Sequence, residues 1–208
     1  MKKETSNYKN KKGEETKRKL LKSATQLFEK YDFTNVTVDA IVHAAGVSKG
    51  TFYIYFESKD ALIANILSDY VTVVDSEYKN HLGSITPGTK ADDIMLSLIA
   101  KISDVLVNTI GRDNMSIIYK LQLDKTFNTD SIKGYNRDLY QIFSDVIQLG
   151  LNQGIFNTKI PLQTITNHFV MAIRGISYEW CIRYPNFDLK EQALLHFQFL
   201  LKGIAVKK

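Results

Sequence analysis

A single cysteine, Cys181, among 208 residues leaves no partner for an intrachain disulfide, and the chain suits a reducing compartment. Long apolar runs are also missing. None approaches the roughly 18 residues of a membrane span, and the basic N-terminus has no apolar stretch of the secretory kind. A soluble cytoplasmic protein with no membrane partner is the expectation. Catalytic spacing is absent too. The four histidines, His43, His81, His168 and His196, are scattered, with no His-Glu-x-x-His pattern and no cysteine pair to complete a metal site. Neither a glycine-rich phosphate loop nor a nucleophile elbow occurs. Asp92-Asp93 could suggest an acid pair, but carboxylates in a helix's first turn are better explained by the macrodipole. His168 and Cys181 share one expected helix and suit a core. An enzyme, a bound metal and a cofactor are therefore not expected.

No stretch sustains the period-two alternation of a strand, whereas almost every long segment carries a helical period. With 44% hydrophobic and 24% charged residues, the chain can bury a core without staples. Leu20, Leu21, Ala24, Leu27, Phe28 and Tyr31 fall on one face. Val38, Ile41, Val42 and Ala45 follow Thr37, a good N-cap. After Ser58, another cap, come Leu62, Ile63, Ile66, Leu67, Tyr70, Val71 and Val74, with a loop over 81–88. Thr89 with Asp92 reads as a capping box opening the next helix. A short helix is predicted over 115–123, and residues 125–134 are polar and ambiguous. Leu139 to Ile147 mark another helix, which Gly154 can close in the left-handed conformation. Pro161 suits the first turn of a long helix, and Asp188 with Glu191 caps the last. The fold class is all-α, with about nine helices.

Charge is unevenly placed. Residues 1–20 hold eight Lys or Arg against three Glu, which accounts for the whole net charge of +5. Such an arm often seeks a polyanion, although a solubilising disordered tail reads the same way. It is too polar for a membrane-inserting helix.

Residues 37–56 carry the distinctive pattern. A two-turn helix leads through Ala45-Gly46-Val47 into Ser48-Lys49-Gly50-Thr51-Phe52-Tyr53-Ile54-Tyr55-Phe56. Glycine permits the positive φ of a tight interhelical turn, and Ala45 and Val47 are small enough for a close crossing. Ser48 can cap the second helix. This is the layout of a helix-turn-helix, whose second helix meets base edges in the major groove. Lys49 can donate to guanine or phosphate, and Gly50 removes bulk so that backbone can approach DNA. Tyr53 presents a ring one turn on, while Phe52 and Phe56, at i and i+4, face the core. A surface helical hairpin with a solvated Lys49 is the bland alternative.

From Thr37-Val38-Asp39-Ala40-Ile41 to Phe56, then Ser58-Lys59-Asp60-Ala61-Leu62, the segment resembles the TetR/AcrR family of transcriptional regulators. The preceding Leu27-Phe28-Glu29-Lys30-Tyr31 matches as well, so the likeness covers residues 14–67 tightly. Three departures stand out. Tyr31-Asp32-Phe33 replaces the usual glycine before the second helix, Ala40 and His43 occupy variable positions, and the basic arm is long. The resemblance implies a basic disordered arm over 1–13, a three-helix DNA-binding domain over 14–60, a connecting helix over 59–80, and a ligand-binding and dimerisation domain over 61–208. It further implies that Thr37, Thr51, Tyr55 and Lys59 bind phosphates while Lys49, Gly50 and Tyr53 face bases. The implied function is a ligand-responsive repressor that holds a palindromic double-stranded operator as a homodimer.

In the second half, Tyr and Phe are abundant, and an aromatic-lined pocket for a small, mainly apolar ligand is expected. Tyr119, Phe143 and Trp180 are the candidates, since they lie on three separate helices; taken singly, each reads more readily as core. The last two helices are apolar on more than one face, which leaves surface over 161–202 to bury against a second copy. Binding through the basic arm alone, blind to base sequence, is the competing reading. It predicts that removing residues 1–13 abolishes binding.

Overall fold

The computed structural model describes residues 2–28, 30–31, 35–123, 134, 137–157 and 159–206. Most of the ambiguous segment 125–134 lies outside them, as do Asp32 and Phe33. Nine α-helices are present among the described residues: α1 Lys2–Phe28, α2 Val38–Ala45, α3 Lys49–Tyr55, α4 Lys59–Gly83, α5 Ala91–Val105, α6 Arg112–Leu123, α7 Asp138–Asn152, α8 Leu162–Arg183 and α9 Leu189–Ile204. None of them is long and apolar enough by itself to cross a membrane. The chain forms two compact units, residues 1–69 and 70–208, and it passes from one to the other inside α4.

Two boundaries differ from the sequence reading. Helix α1 begins at Lys2, so the segment expected as a disordered arm is helical from that residue on. The units divide at Asp69, nine residues later than the expected end of the DNA-binding domain, because α4 runs on without a break.

In the first unit, α1 packs on α2 and α2 on α3. Leu20, Ala24, Ile41, Phe52, Phe56 and Leu62 are buried there. Tyr31 lies beyond the end of α1 and is exposed, so it leaves the apolar face on which its spacing placed it.

In the second unit, α5 packs against α7 and α9, α8 against α7 and α9, and α6 against α8. At its centre Phe197 meets Phe169 at 5.6 Å and Phe143 at 6.1 Å between ring centroids, tying α7, α8 and α9 through one aromatic stack. Helix α5 ends in a π-helical turn over Leu106–Ile110, closed by Gly111 at φ 79. That turn lets α6 start at Arg112, three residues before the expected position. The capping box expected at Thr89 is not formed: Thr89 Oγ1 donates to the Thr86 carbonyl, and α5 begins after Lys90. Its first N–H, Ala91 N, is satisfied by Gln153 Oε1 at 2.9 Å, while Gln153 Nε2 donates to the Thr89 carbonyl at 3.0 Å. A residue at the end of α7 therefore supplies the missing cap.

Gly154, at φ 70, turns the chain after α7 as expected. Gly150 serves a different purpose. A Cβ built there would stand 2.1 Å from Cδ2 of the buried Phe156 ring, so only glycine lets that ring seat on α7. Backbone bonds from Asn157 to Ile204 and from Val206 to Ile155 then pin this segment to the end of α9.

The distal half of α4 is fixed to its neighbours by charge. Arg137, at the start of α7, grips Asp75 with Nε at 2.8 Å from Oδ2 and Nη2 at 2.6 Å from Oδ1. The two side chains are only 13% and 4% exposed, so this is a buried, two-pronged pair. Lys79 with Asp138 and Glu77 with Lys101 add exposed or half-exposed links to α7 and α5.

Candidate nucleic-acid interface and regulatory half

Each end of the turn between α2 and α3 is closed by a residue suited to it. Thr37 stands outside α2 in extended backbone, and its hydroxyl accepts from Ala40 N at 3.1 Å. At the other end Gly46 adopts φ 66, ψ 36, a conformation strained for any residue with a Cβ. The following Val47 N–H reaches the Val42 carbonyl at 3.0 Å, which satisfies an orphan acceptor of α2. Ser48 then caps α3, accepting from Thr51 N at 3.1 Å, and its Oγ lies 2.8 Å from the Thr51 hydroxyl. Seven residues of helix follow.

Two aromatic anchors orient this helix. Phe52 and Phe56 are buried and lie 5.7 Å apart. The opposite face is left in water: Gly50 is exposed, Tyr53 is 51% exposed and Ile54 is 77% exposed. Tyr53 stands edge-on to Phe52 at 5.4 Å, which holds its ring upright on the surface. Lys49 reaches back to α2 and grips Asp39, with Nζ 2.9 Å from Oδ1 and 3.0 Å from Oδ2. The hydrogen bond to Asp39, and then its charge, raises the Lys49 pKa above the ordinary ammonium value. The pair is exposed, so solvent and phosphate compete freely for that ammonium.

The remaining expected contacts are distributed around this helix. Thr51 is half-buried with its hydroxyl beside Ser48. Tyr55 is half-buried as well, its hydroxyl 3.4 Å from where a Cβ on Gly13 of α1 would stand. Lys59, at the start of α4, donates to the Val36 carbonyl at 2.9 Å and so ties α4 to the entry of α2, next to Thr37. Ser58 caps α4 through Ala61 N at 3.1 Å, as its position implied. Asp39 and Ile54 were missed in the sequence. The i, i+3, i+4 spacing of Gly50, Tyr53 and Ile54 was the available signal for the second of them.

In the second unit the three candidate pocket aromatics occupy different surroundings. Phe143 is fully buried within the Phe169–Phe197 stack. Trp180 is buried on α8. Tyr119 bridges α6 to α8: its hydroxyl donates to the Arg174 carbonyl at 2.8 Å, and its ring meets Tyr178 edge-on at 5.4 Å. Burial pushes its phenol pKa well above the ordinary value. Arg174 in turn donates to the Tyr140 hydroxyl at 3.3 Å, so α6, α7 and α8 meet through hydroxyl and guanidinium groups. A shallow groove of about 480 Å³ lies between α8 and α9, lined by Met171, Ile176, Leu195 and Phe199 among others. Met171 is 50% and Phe199 60% exposed, which leaves an apolar strip along both helices.

A short capped helix, a left-handed glycine, and a second capped helix anchored by two phenylalanines define a helix-turn-helix transcriptional regulator. Residues 20–66, the helix-turn-helix segment and its flanks, match the family described as bacterial regulatory proteins, tetR family. A curated relative, the HTH-type transcriptional regulator YdgC of Bacillus subtilis, is 24% identical over 166 residues, covering 80% of this chain and 81% of its own. Among solved structures, the Thermus thermophilus repressor FadR in complex with lauroyl-CoA superposes with a TM-score of 0.71 at 18% identity, covering 92% of this chain and 96% of that one. A transcriptional regulator of Saccharomonospora viridis in complex with choline gives a TM-score of 0.70 at 19% identity, covering 94% and 100%. At such identities the structural likeness shows the fold alone. The family is one of regulators, and the chain is not an enzyme.

Proposed function

We propose that this regulator is a ligand-responsive repressor that binds a near-palindromic DNA operator as a homodimer. The observation that carries the reading is the outward face of α3, where Lys49, Gly50 and Tyr53 are exposed on a helix locked in place by Phe52 and Phe56. Those three residues face the bases. Thr37, Thr51, Tyr55 and Lys59, arranged around the same helix, hold phosphates and fix its register. The apolar strip of α8 and α9 supports pairing over residues 161–202, because two copies joined there bury Met171, Leu195 and Phe199 about a two-fold axis. Solved relatives of the fold hold lauroyl-CoA in one case and choline in another, so the fold admits ligands of unlike chemistry. In this chain the ligand is small and mainly apolar, and Tyr119, Phe143 and Trp180 are the residues assigned to it. Operator and ligand meet the protein in the cytoplasm.

The test is selection of bound duplexes from a random pool by the purified full chain, with light scattering on the same sample. A shared sequence made of two inverted half-sites about one helical turn apart, ~34–36 Å or a multiple of it, bound by a dimer, is the expected result. A monomer holding the selected site with full affinity overturns the dimer reading. Small, mainly apolar molecules are the first effector probes, with lauroyl-CoA and choline as comparisons of unlike chemistry, each read as a rise in melting temperature.

A further inference from the structure

Two features of α3 have no explanation within the free protein. The first is Ile54, a β-branched residue in a seven-residue helix, 77% exposed although Phe52 and Phe56 already anchor that helix. The second is Gly50. It is not among the glycines at positive φ, and a Cβ added to it would meet nothing closer than Ser48 Oγ at 3.8 Å. Neither backbone conformation nor internal packing requires glycine there. Inside a helix, glycine costs conformational entropy that alanine does not. The empty space above Gly50 therefore serves something outside the chain.

Helix geometry joins the two features. Residues i and i+4 are neighbours on one face, and a helical side chain leans over the turn that precedes it. Ile54 stands one turn beyond Gly50, with Tyr53 beside it and exposed. Open space at Gly50 is thus followed, one turn on, by two exposed side chains, Tyr53 and Ile54. Only one base carries a methyl group on its major-groove edge, thymine at C5. That methyl projects from the base, is about the size of the missing Cβ and its surroundings, and gains from leaving water. Lys49, one residue before Gly50, supplies the positive charge that draws the polyanion onto this face.

We propose that Ile54, over Gly50, reads the methyl group of a thymine in each operator half-site. The proposal rests on the operator reading above. Ile54 is a specificity residue in addition to Tyr53, and the two divide the work: the phenol can hydrogen-bond, while the isoleucine recognises only the methyl. Discrimination of this kind is invisible to hydrogen-bond patterns, since thymine and uracil present the same polar edge.

That equivalence supplies the experiment. Duplexes are selected from a random pool with the full chain, and each thymine of the selected site is then replaced in turn by deoxyuridine, which deletes only the methyl. Burying one methyl corresponds to roughly a fourfold gain in affinity, so one thymine per half-site should lose about that much, and about fifteenfold when both half-sites are changed. Ile54→Ala should weaken binding to the thymine duplex by a similar factor and become indifferent to the uracil replacement at that position. Ile54→Val should keep the discrimination. Because Ile54 is exposed, the melting temperature of each variant should match the parent's, and that measurement separates lost recognition from lost folding. A shared sequence in which no thymine is sensitive overturns this proposal alone. So does a sensitive thymine whose cost persists in Ile54→Ala. A pool that yields no shared sequence overturns the operator reading and this proposal with it.

Discussion

Lys59 and Tyr53 illustrate how differently two exposed-looking residues of one DNA-binding head can fail. Lys59 donates to the Val36 carbonyl, so its ammonium fixes the entry of α2 before any DNA arrives. Removing it deletes that bond, worth about 1 kcal/mol of stability, together with the proposed phosphate contact. Lys59→Ala should therefore lower the melting temperature, weaken operator and random DNA alike, and reduce the slope of log affinity against log salt by about one unit per subunit. Tyr53 has no such bond to another element, since its half-exposed ring rests edge-on against Phe52 within the same helix. Tyr53→Ala should leave the melting temperature unchanged and cut the ratio of specific to non-specific affinity, by about 1–3 kcal/mol for a good base contact. Filter binding of both variants across a salt series checks the split. Equal ratios in the two would show that the roles are wrongly divided.

A second residue-scale expectation concerns alkaline pH. Tyr78 is 2% exposed, and burial pushes its phenol pKa far above the ordinary value, even though the Arg137 charge pulls it the other way. The proton is thus held more tightly in the folded chain than in the unfolded one. The stability this confers is fully present below the ordinary phenol pKa of about 10 and is lost as pH rises beyond it. Tyr78→Phe removes the term. Urea unfolding between about pH 9 and pH 11 should show a shallower loss of stability in that variant than in the parent.

Among the elements, the helix starts that could be read directly are those whose caps are local. Thr37, Ser48, Ser58 and Asp188 each accept an N–H three residues ahead, and a reader needs no tertiary structure to see them. The start of α5 could not be read this way. Its cap comes from Gln153, 62 positions away in sequence, so Thr89 and Asp92 offered a plausible local pattern that the fold does not use. The outward face of α3 was legible from Lys49 to Tyr53, and the same helical spacing extends it to Ile54, which is 77% exposed. Buried pairing across elements was silent for the same reason as Gln153. Asp75 and Arg137 are also 62 residues apart, and neither position has a neighbour in sequence that announces the other.

That pair decides how firmly α4 is held. Both charges are nearly out of water and satisfy each other through two bonds, so removal of one strands the other. Arg137→Met should destabilise the chain by about 3–5 kcal/mol, the usual cost of an uncompensated buried charge. The double replacement Asp75→Leu with Arg137→Met should recover most of that loss, because an apolar pair of similar volume needs no compensation. Urea midpoints for the two single variants and the double variant close the cycle. If the double variant were no more stable than the singles, the carboxylate and guanidinium would not be acting as a pair.

On the scale of the whole molecule, the chain enters its second unit only once, along α4, whose first half lies in the DNA-binding unit and whose second half carries Asp75, Glu77 and Lys79. A ligand in the second unit that alters the operator must change the relative stability of two states of the molecule. It cannot do so by binding tightly alone. A ligand indifferent to the two states shifts neither, whatever its affinity. The proposed repressor thus makes a symmetric demand. If an effector found by the melting screen weakens the operator by the usual coupling of ~1–3 kcal/mol, a factor of roughly 5–150, saturating operator DNA must weaken the effector by the same factor. Calorimetric titration of the effector with and without the selected duplex measures both sides of the cycle. Equal effector affinity in the two conditions would show that the molecule occupies the second unit without regulating the first. A drop in affinity matching the loss of operator binding would identify it as the inducer, and Tyr119→Phe, which deletes the hydroxyl held by the Arg174 carbonyl, should then change effector affinity while leaving unliganded operator affinity as it was.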